Sequence, residues 1–580
     1  MIFIKNKTKK NFSIFFDPTD QKKLFKIISF MLIGMILELF GVGLIFPAVK
    51  VLTDNEFLTK IYNLLGIKAL DTEILLLVIA IIFVIFFGLK NIYLWIVLKK
   101  YSVFINHYEA KLQTKLFKGY LNKSVSYFKE KNSSDIIINI KEISSYFCSI
   151  YISALMQLAL ESILQISILI LLFYFSWQST LPIFTLFGGF ALIIFSYSKN
   201  ALIELGKQRN ELSKSQLLNV QEGIGGIKEI KLLGRENFFL DQFEKNTYSL
   251  LGASIKHAVI AGTPRFVIEF FAVSSVALII FIYSTLGRSI AEILPILGLF
   301  FVCAYKIVPS LNKTLLLMNR VKFSTDMVDK TLHLLNEFKN EQVDFHKDTL
   351  RKKMIFKKKI ELKNIKFKYL NREKIILKDI NISINKNSFI GISGESGSGK
   401  STLIDIIMGI TNPDSGSIKV DGKSISESIK EWQKNIGYVS QNIFLIPSTI
   451  KRNIAFGLSD DQINEELINE VIKKASLTKF VDSLELGINT HIGEGGALIS
   501  GGQKQRIGIA RSLFNKPELL IFDEATSALD LETEREILNE ISNLKKEFTL
   551  ILISHRESSI KYCDERYLME NENLSKISGN

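Results

Sequence analysis

Six long apolar runs in the first 320 residues constrain the fold of this 580-residue chain more than any other feature. A membrane interior offers no water to backbone N–H and C=O groups, so a single segment that crosses a bilayer must be a helix. Roughly 20 apolar residues are enough to cross, and most of the runs approach or exceed that length. The runs lie at about 24–52, 74–98, 150–176, 179–198, 257–287 and 291–318. They predict six transmembrane helices, and they account for a hydrophobic content of 47%, which is high for a soluble protein.

Lys and Arg residues are concentrated on one side of these predicted helices. Segments 99–149 and 199–256 carry nine each, whereas the alternate loops carry two, zero and one. Cytoplasmic loops are the basic ones, so we expect both termini in the cytoplasm. The same residues contribute to the net charge of +14, which therefore does not favour a nucleic-acid partner. Residues 1–23 lack the apolar core of a secretory signal, so the first apolar run is predicted to be retained.

The two basic segments carry periodic apolar positions among their charges, which predicts helices that continue beyond the bilayer. We expect them to turn near residues 127–134 and 234–237. Such extensions would give a soluble domain a surface through which it could move the membrane helices. Solvated helical hairpins without a partner fit the pattern equally well. In the loop between the first two apolar runs, on the outer side of the membrane, residues 54–73 have the pattern of a short helix lying on the membrane surface.

A Gly-rich stretch follows a short apolar run at 389–392 and precedes a helix-like run at 402–410. Its glycines allow backbone N–H groups to turn inward, and a helix N-terminus adds partial positive charge, so the stretch suits a phosphate. Lys400 is expected to reach the outer phosphates and Ser401 to ligate Mg²⁺. A flexible Gly/Ser loop would not explain a Lys and a Ser directly after the last Gly. The predicted nucleotide cradle, called the P-loop below, is Gly394, Glu395, Ser396, Gly397, Ser398, Gly399, Lys400 and Ser401, followed by Thr402.

Two adjacent carboxylates, Asp523 and Glu524, end a strongly apolar strand pattern that begins at residue 519. Consecutive strand residues point to opposite sides. Asp523 can therefore hold the shell of a magnesium ion while Glu524 faces an attacking water. Their position downstream of the P-loop makes a chance occurrence a poor explanation.

Between these motifs, Ile499-Ser500-Gly501-Gly502-Gln503 precedes a helical run and predicts a second anion site at a helix N-terminus. This combination resembles the ABC transporters, whose signature is Leu-Ser-Gly-Gly-Gln; Ile499 is a mild departure. The resemblance implies ATP and Mg²⁺ as cofactors. It also implies catalytic roles for Glu524, His555 and Gln441, adenine stacking by Tyr369, magnesium contacts from Ser401, Gln441 and Asp523, nucleotide contacts from Ser500, Gly501, Gly502 and Gln503, and a D-loop at 527–530.

The residues at 490–496 resemble the extra loop of ABC exporters, and the fused N-terminal membrane half favours export over import. The implied architecture is an α-helical transmembrane domain at 1–320, a charged linker at 321–358 and an α/β ATP-binding domain at 359–580. The chain has one P-loop and one signature, so the resemblance implies a homodimer with two composite ATP sites. It further implies a multi-pass protein of the bacterial inner membrane.

Ionisable residues in apolar runs are costly and tend to face a cavity or one another, and we single out six of them as candidates. They are Glu38, Lys90, Glu161, Arg265, Glu269 and Lys306. Lys306 has no acid nearby in sequence, so it is the leading candidate to meet an anionic substrate. Arg265 is a second candidate, or it pairs with Glu269 at i+4; Lys90 is a third, or it reaches the interface along its own stem.

The residues around 263–269 and 305–312 resemble bacterial lipid-linked oligosaccharide flippases of the N-glycosylation type. That resemblance implies a polyprenyl-pyrophosphate glycan as the substrate and membrane lipids as surroundings, although Lys306 stands where we expect Arg. A lipid A type flippase and an exporter of another lipid, a peptide or a drug fit the same architecture. A soluble ABC ATPase of DNA repair or translation does not fit six apolar runs.

Overall fold

The computed structural model of this chain describes residues 15–44, 72–175, 177–285, 290–339, 352–369, 374–525 and 531–577. The chain divides into two compact units, with the main boundary at residues 342–343. The predicted surface helix at 54–73 and the predicted D-loop at 527–530 lie outside the described residues.

Long helices form the described part of the chain before residue 340. The predicted spans lie on Pro18–Gly43, Thr72–Leu121, Ser153–Phe175, Trp177–Gly225, Glu236–Thr285 and Ile290–Phe323. Helices of 49 and 50 residues are about 75 Å long, more than twice the thickness of a hydrocarbon core. These helices are long enough to continue well beyond a bilayer, and their extension on the cytoplasmic side stays a prediction. Within the described residues, three stretches of these helices have the length and composition of a membrane span: Pro18–Gly41, Leu77–Leu121 and Ser133–Tyr174.

Shorter helices join these long ones. They are Val125–Glu130, Ser133–Ile138 and Ile227–Leu233. Gly234 ends the last of them with a left-handed backbone, φ 60°, which confirms the turn predicted there. Between Ser133–Ile138 and Ser153–Phe175, residues Asn139–Ile143 and Tyr146–Ile152 adopt wider π-helical turns.

The first part of the segment predicted as a linker is a helix, Thr325–Glu337, which belongs to the first compact unit. Its apolar side chains recur at helical spacing and are buried. At its end, the ring of Phe338 lies on Gly119, where an added Cβ would come within 2.3 Å of the ring. Lys123 pairs with Glu337 at 2.8 Å beside this contact. The charged composition of the segment had concealed the helix.

The second unit contains two sheets among its described residues. An antiparallel sheet is formed by Lys359–Lys368, Ile375–Asn385, Ser415–Val420 and Lys423–Ser424. A six-stranded sheet has the order Asn573–Ile577, Glu565–Glu570, Phe389–Gly394, Thr549–Ile553, Leu519–Asp523 and Ile436–Val439. Its last five strands are parallel, and the fully buried ones are nearly continuous apolar runs, as is typical of parallel strands.

Helices connect and cover these strands. They are Lys400–Ile407, Ile429–Gln433, Ile450–Ile454, Glu465–Lys474, Thr478–Asp482, Gly501–Phe514, Leu531–Leu544 and Glu557–Ile560. Ligands of such parallel sheets bind where the carboxyl ends of the strands meet. That edge brings together Gly394, the residues after Val439, Asp523 and the residues after Ile553. The predicted α/β domain is confirmed, and its sequence motifs converge on one edge.

Candidate functional site

The P-loop lies between the strand Phe389–Gly394 and the helix Lys400–Ile407, as predicted. Gly397 and Gly399 have φ values of 82° and 105°, a region that only glycine adopts at little cost. The hydroxyl of Ser398 is buried and has no hydrogen-bond partner among the described residues. An unpaired buried hydroxyl is costly, so a loop with this conformation fits a ligand that accepts hydrogen bonds, such as a phosphate.

Lys400, the first residue of that helix, is buried with 4% exposure. Its ammonium donates to the carbonyl oxygens of Gly394 and Glu395, each at 2.8 Å. Burial lowers the pKa of Lys400, and the nearby carboxylates of Glu524 and Asp523 oppose that shift. The result is a cation held inside the loop, where water screens its charge least.

Asp523 is the last residue of its strand and is also buried. It accepts a hydrogen bond from the hydroxyl of Tyr438 at 3.1 Å and a second from Ser401. Burial raises the pKa of the Asp523 carboxyl above its usual range. Tyr438 was not predicted; its only signal was its place on the neighbouring strand.

Glu524 is held by two of the residues that the family resemblance pointed to. The Gln441 amide donates to its Oε2 at 2.7 Å, and His555 Nε2 lies 2.6 Å from its Oε1. The other ring nitrogen of His555 is 2.8 Å from the Gly394 carbonyl. A carbonyl oxygen only accepts, so Nδ1 is the donor in this contact. Gln441, Glu524 and His555 thus form one hydrogen-bonded group at the P-loop.

Magnesium fits the residues present. Ser401, Asp523 and Gln441 offer hydroxyl, carboxylate and amide oxygens, the hard ligands that Mg²⁺ prefers. Within the described ranges no cluster of three or more His, Cys, Asp or Glu side chains forms a metal cage. A single carboxylate is consistent with Mg²⁺ held jointly with substrate phosphates.

Tyr369 and the signature flank this group on separate elements. The Tyr369 hydroxyl lies 3.2 Å from the Thr402 hydroxyl, and its ring packs edge-on against Phe367. Ser500 caps the helix Gly501–Phe514: its hydroxyl accepts from the Gln503 N–H at 3.3 Å, and the Gln503 side chain accepts from the Ser500 N–H at 2.9 Å. The signature is thus an ordered helix N-terminus with its glycines in the first turn, which suits an anion.

The candidate substrate residues are arranged differently from the prediction. Lys306 Nζ lies 2.5 Å from Glu38 Oε1, although the two residues are 268 positions apart. Lys90, which is 5% exposed, lies 3.7 Å from the same oxygen. Lys306 is therefore not without an acid, and Lys90 is not simply reaching the interface. The side chain of Arg265 lies outside the described parts of its helix. A contact of Arg265 with the substrate and its pairing with Glu269 therefore both stay predictions.

A second polar group was not predicted. Glu161 pairs with Lys313 at 2.8 Å and accepts from the Ser310 hydroxyl at 2.5 Å. The amide of Gln165 donates to Ser310 and Thr314 at 3.0 and 2.8 Å. Glu161 is a costly charge in an apolar run, and that is the sequence signal that it needs partners.

Comparisons with known proteins agree with this geometry. Residues 377–527 match the family model "ABC transporter", and residues 24–301 match "ABC transporter transmembrane region". An ATP-dependent lipid A-core flippase of Wigglesworthia glossinidia brevipalpis is 31% identical over 478 residues, 81% of this chain and 80% of that protein. A similar flippase of Vibrio parahaemolyticus is 30% identical, over 78% of this chain and 76% of that protein.

A solved structure of a bacterial Atm1-family ABC exporter with ATP bound shares the fold, with a TM-score of 0.74. The matched region covers 96% of this chain and 94% of the chain in that structure, at 22% sequence identity. This chain therefore belongs to the ABC transporters, with an exporter-type transmembrane region followed by an ATPase domain whose hydrolysis of ATP is coupled to transport.

Proposed function

We propose that two copies of this chain form a homodimer that uses ATP to flip an amphipathic lipid with an anionic headgroup across the bacterial inner membrane. The finer candidate is a polyprenyl-pyrophosphate glycan, on the sequence resemblance given above. A lipid A-core molecule is the second candidate, since several curated relatives carry the name of lipid A-core flippases. The basic segments 99–149 and 199–256 support cytoplasmic termini.

The observation that carries the headgroup proposal is the pair of lysines on one glutamate. Among the side chains that the structure describes, Glu38 balances one charge, so Lys90 and Lys306 together carry one positive charge in excess of it. Charges buried in a membrane are retained where they serve a transport path or a ligand. An excess cation in a region of low dielectric attracts an anion more strongly than a surface lysine would.

A neighbouring cavity of about 260 Å³ supports an amphipathic ligand. Glu38 lines it together with Glu161, Lys313, Gln157 and Tyr101, and the rest of its wall is formed by Met and aliphatic side chains. Binding sites for such ligands combine apolar walls with a few polar groups that fix orientation. The cavity thus offers a polar end beside a longer apolar surface.

In the proposed ATPase cycle, Tyr369 stacks on the base, and the P-loop backbone with Lys400 holds the phosphates. Ser401, Gln441 and Asp523 would hold Mg²⁺, which supplies positive charge against the negative charge on the phosphates. Glu524 orients the attacking water and accepts its proton, while His555 fixes the Glu524 carboxylate. Residues 500–503 of a second copy would close the site from the opposite side.

The test is lipid-stimulated ATPase activity of the purified protein in nanodiscs. We expect stimulation by a polyprenyl-pyrophosphate oligosaccharide or by lipid A-core, and none by a zwitterionic phospholipid. Lys306→Gln should raise the lipid concentration for half-maximal stimulation by about tenfold or more, because a partly buried charge contact is lost. Lys306→Arg should keep stimulation, since the charge remains. Basal hydrolysis should persist in both variants.

Lys99→Gln is the matched control, because Lys99 lies on the same helix as Lys90 but is exposed. A variant in which both Lys90 and Lys306 are neutralised provides the strongest test. If anionic lipids still stimulate it as they stimulate the wild type, the proposal of an anionic headgroup loses its basis. Stimulation by a peptide or a dye alone would favour a general exporter.

A further inference from the structure

The helix Leu531–Leu544 makes charged contacts with two separate parts of the ATPase site. We infer that this helix is a mechanical link that couples the position of the signature helix to the position of His555 within one chain. The link depends on Arg506 and Glu534, which we assign as positioning residues.

The contact on the signature side is formed by Arg506, six residues after Ser500 on the helix Gly501–Phe514. One guanidinium nitrogen, Nη1, lies 2.5 and 2.6 Å from the two carboxylate oxygens of Glu540. A second, Nη2, lies 3.3 Å from Glu536. The Arg506 side chain is only 14% exposed. Because two nitrogens of one guanidinium contact two carboxylates on the same helix, the contact fixes orientation as well as distance.

The contact on the switch side is formed by Glu534 on the same helix, with 3% exposure. Its carboxylate accepts hydrogen bonds from Arg556, the residue after His555, and from the hydroxyl of Ser559 at 2.8 Å. The backbone N–H of Arg556 is fixed in turn by the Ser554 hydroxyl at 3.0 Å. The loop that carries His555 is therefore held to the helix Leu531–Leu544 directly beside the histidine.

The body of this helix can transmit displacement between the two contacts. Ile537, Leu538 and Ile541 anchor it in the core with exposures of 0, 2 and 0%. Glu536 and Glu540 are four residues apart and share a face, whereas Glu534 lies on another. Because cores are closely packed, a shift of the signature helix moves the anchored helix as a unit rather than bending it.

Stability alone explains the two contacts poorly. A buried carboxylate loses its hydration, and a buried ion pair gives little net stability over apolar packing of the same volume. Glu534 nevertheless holds Arg556, which directly follows His555 in the chain, and His555 Nε2 lies 2.6 Å from the Glu524 carboxylate. In the proposed homodimer, on which this step rests, the signature of one chain faces the nucleotide of its partner. The helix then connects the two ATP sites.

The test measures ATP binding and hydrolysis by the full-length protein without added substrate, so it does not depend on the identity of the lipid. The variants are Arg506→Gln, Glu534→Gln and the double variant. We expect each single change to lower kcat by about three- to tenfold, with ATP affinity and KM within about twofold of wild type. The double variant should be no slower than the slower single one, because both changes break the same link.

Glu540→Gln gives a milder variant if Arg506→Gln expresses poorly, since Glu536 remains to hold the arginine. Lys545→Gln is the matched control: it breaks the 2.5 Å ion pair with Asp564 just after the same helix and should leave kcat unchanged. Three results would overturn the inference: single effects that multiply in the double variant, a parallel loss of ATP affinity, or an equal loss of kcat in the control. A failure of the dimer proposal shows separately, as ATP hydrolysis by an isolated monomer.

Discussion

At the scale of single residues, Glu524 combines backbone strain with an ordered carboxylate. Its φ is 51°, which is uncommon for a residue with a side chain and costs on the order of 1–3 kcal/mol. The backbone stays there because the Glu524 N–H donates to the Ile553 carbonyl at 3.1 Å. Gln441 and His555 hold the carboxylate from two sides. Such strain is typical of sites where one group must be held ready for reaction.

We predict that Glu524→Gln leaves ATP binding intact and lowers turnover by about a hundredfold or more, because an amide cannot accept the proton of the attacking water. Steady-state ATPase activity and equilibrium nucleotide binding measure the two quantities. Glu518→Gln is the matched control, since Glu518 lies just before the opposite end of the same strand and pairs with Lys386. Near-normal hydrolysis in the Glu524 variant would show that another group is the base.

The sequence predicted the ATP residues better than the membrane residues, for a physical reason. P-loop, carboxylate and signature motifs are local, and parallel strands bring their ends to one edge. The partner of Lys306 is Glu38, 268 positions away, and no periodicity determines which helices face each other. Tyr438 likewise became a site residue only through the pairing of its strand with Leu519–Asp523.

At the scale of elements, the contact between Gly119 and Phe338 joins two helices that are distant in sequence. The Tyr120 ring packs edge-on against Phe338 at 5.0 Å, and the Lys123 ammonium lies 5.3 Å from its centroid. Close approach is possible because Gly119 has no side chain. Apolar periodicity predicted the long helices, but it could not predict this contact, which depends on tertiary packing.

We predict that Gly119→Ala destabilises the protein by about 1–3 kcal/mol, because the added methyl group overlaps the Phe338 ring. Gly223→Ala is the control: a Cβ there meets nothing within 4 Å, so better helix propensity should leave stability equal or higher. Apparent melting temperatures in detergent report both changes. If the overlap is the cause, Gly119→Ala should lower the melting temperature much less in a Phe338→Ala background than in the wild type, and an equal loss in both backgrounds would contradict it.

At the scale of the whole molecule, one chain carries a single P-loop and a single signature, and it has Glu524 and His555 in place. The sequence predicted this organisation because apolar runs and phosphate motifs are both local patterns. It could not predict that the helix Thr325–Glu337 belongs to the first unit, since charged residues cover its outer face.

We predict that hydrolysis requires two chains. Lys400→Ala removes the phosphate contact, and Ser500→Arg removes the helix cap and adds bulk at the signature, so each homodimer should be inactive. In a mixed dimer both lesions fall on one composite site, and the other site is intact. Random pairing should then restore roughly a quarter of wild-type ATPase activity.

Differently tagged chains purified in tandem verify that mixed dimers have formed. Inactivity of verified mixed dimers would mean that two intact sites must act together. Hydrolysis by an isolated monomer would exclude the composite site.

The π-helical turns at Asn139–Ile143 and Tyr146–Ile152 change the direction in which the side chains around them point about the helix axis. Their i to i+5 hydrogen bonds place more residues in each turn than an α-helix does. A helical wheel drawn continuously from Ser133 to Phe175 therefore loses register across these turns. Residues that share one helix face before Asn139 therefore do not share a face with the residues after Ile152 that a period of 3.6 residues would assign to it. Cysteine-scanning or spin-label patterns along this stretch must be fitted as two separate wheels.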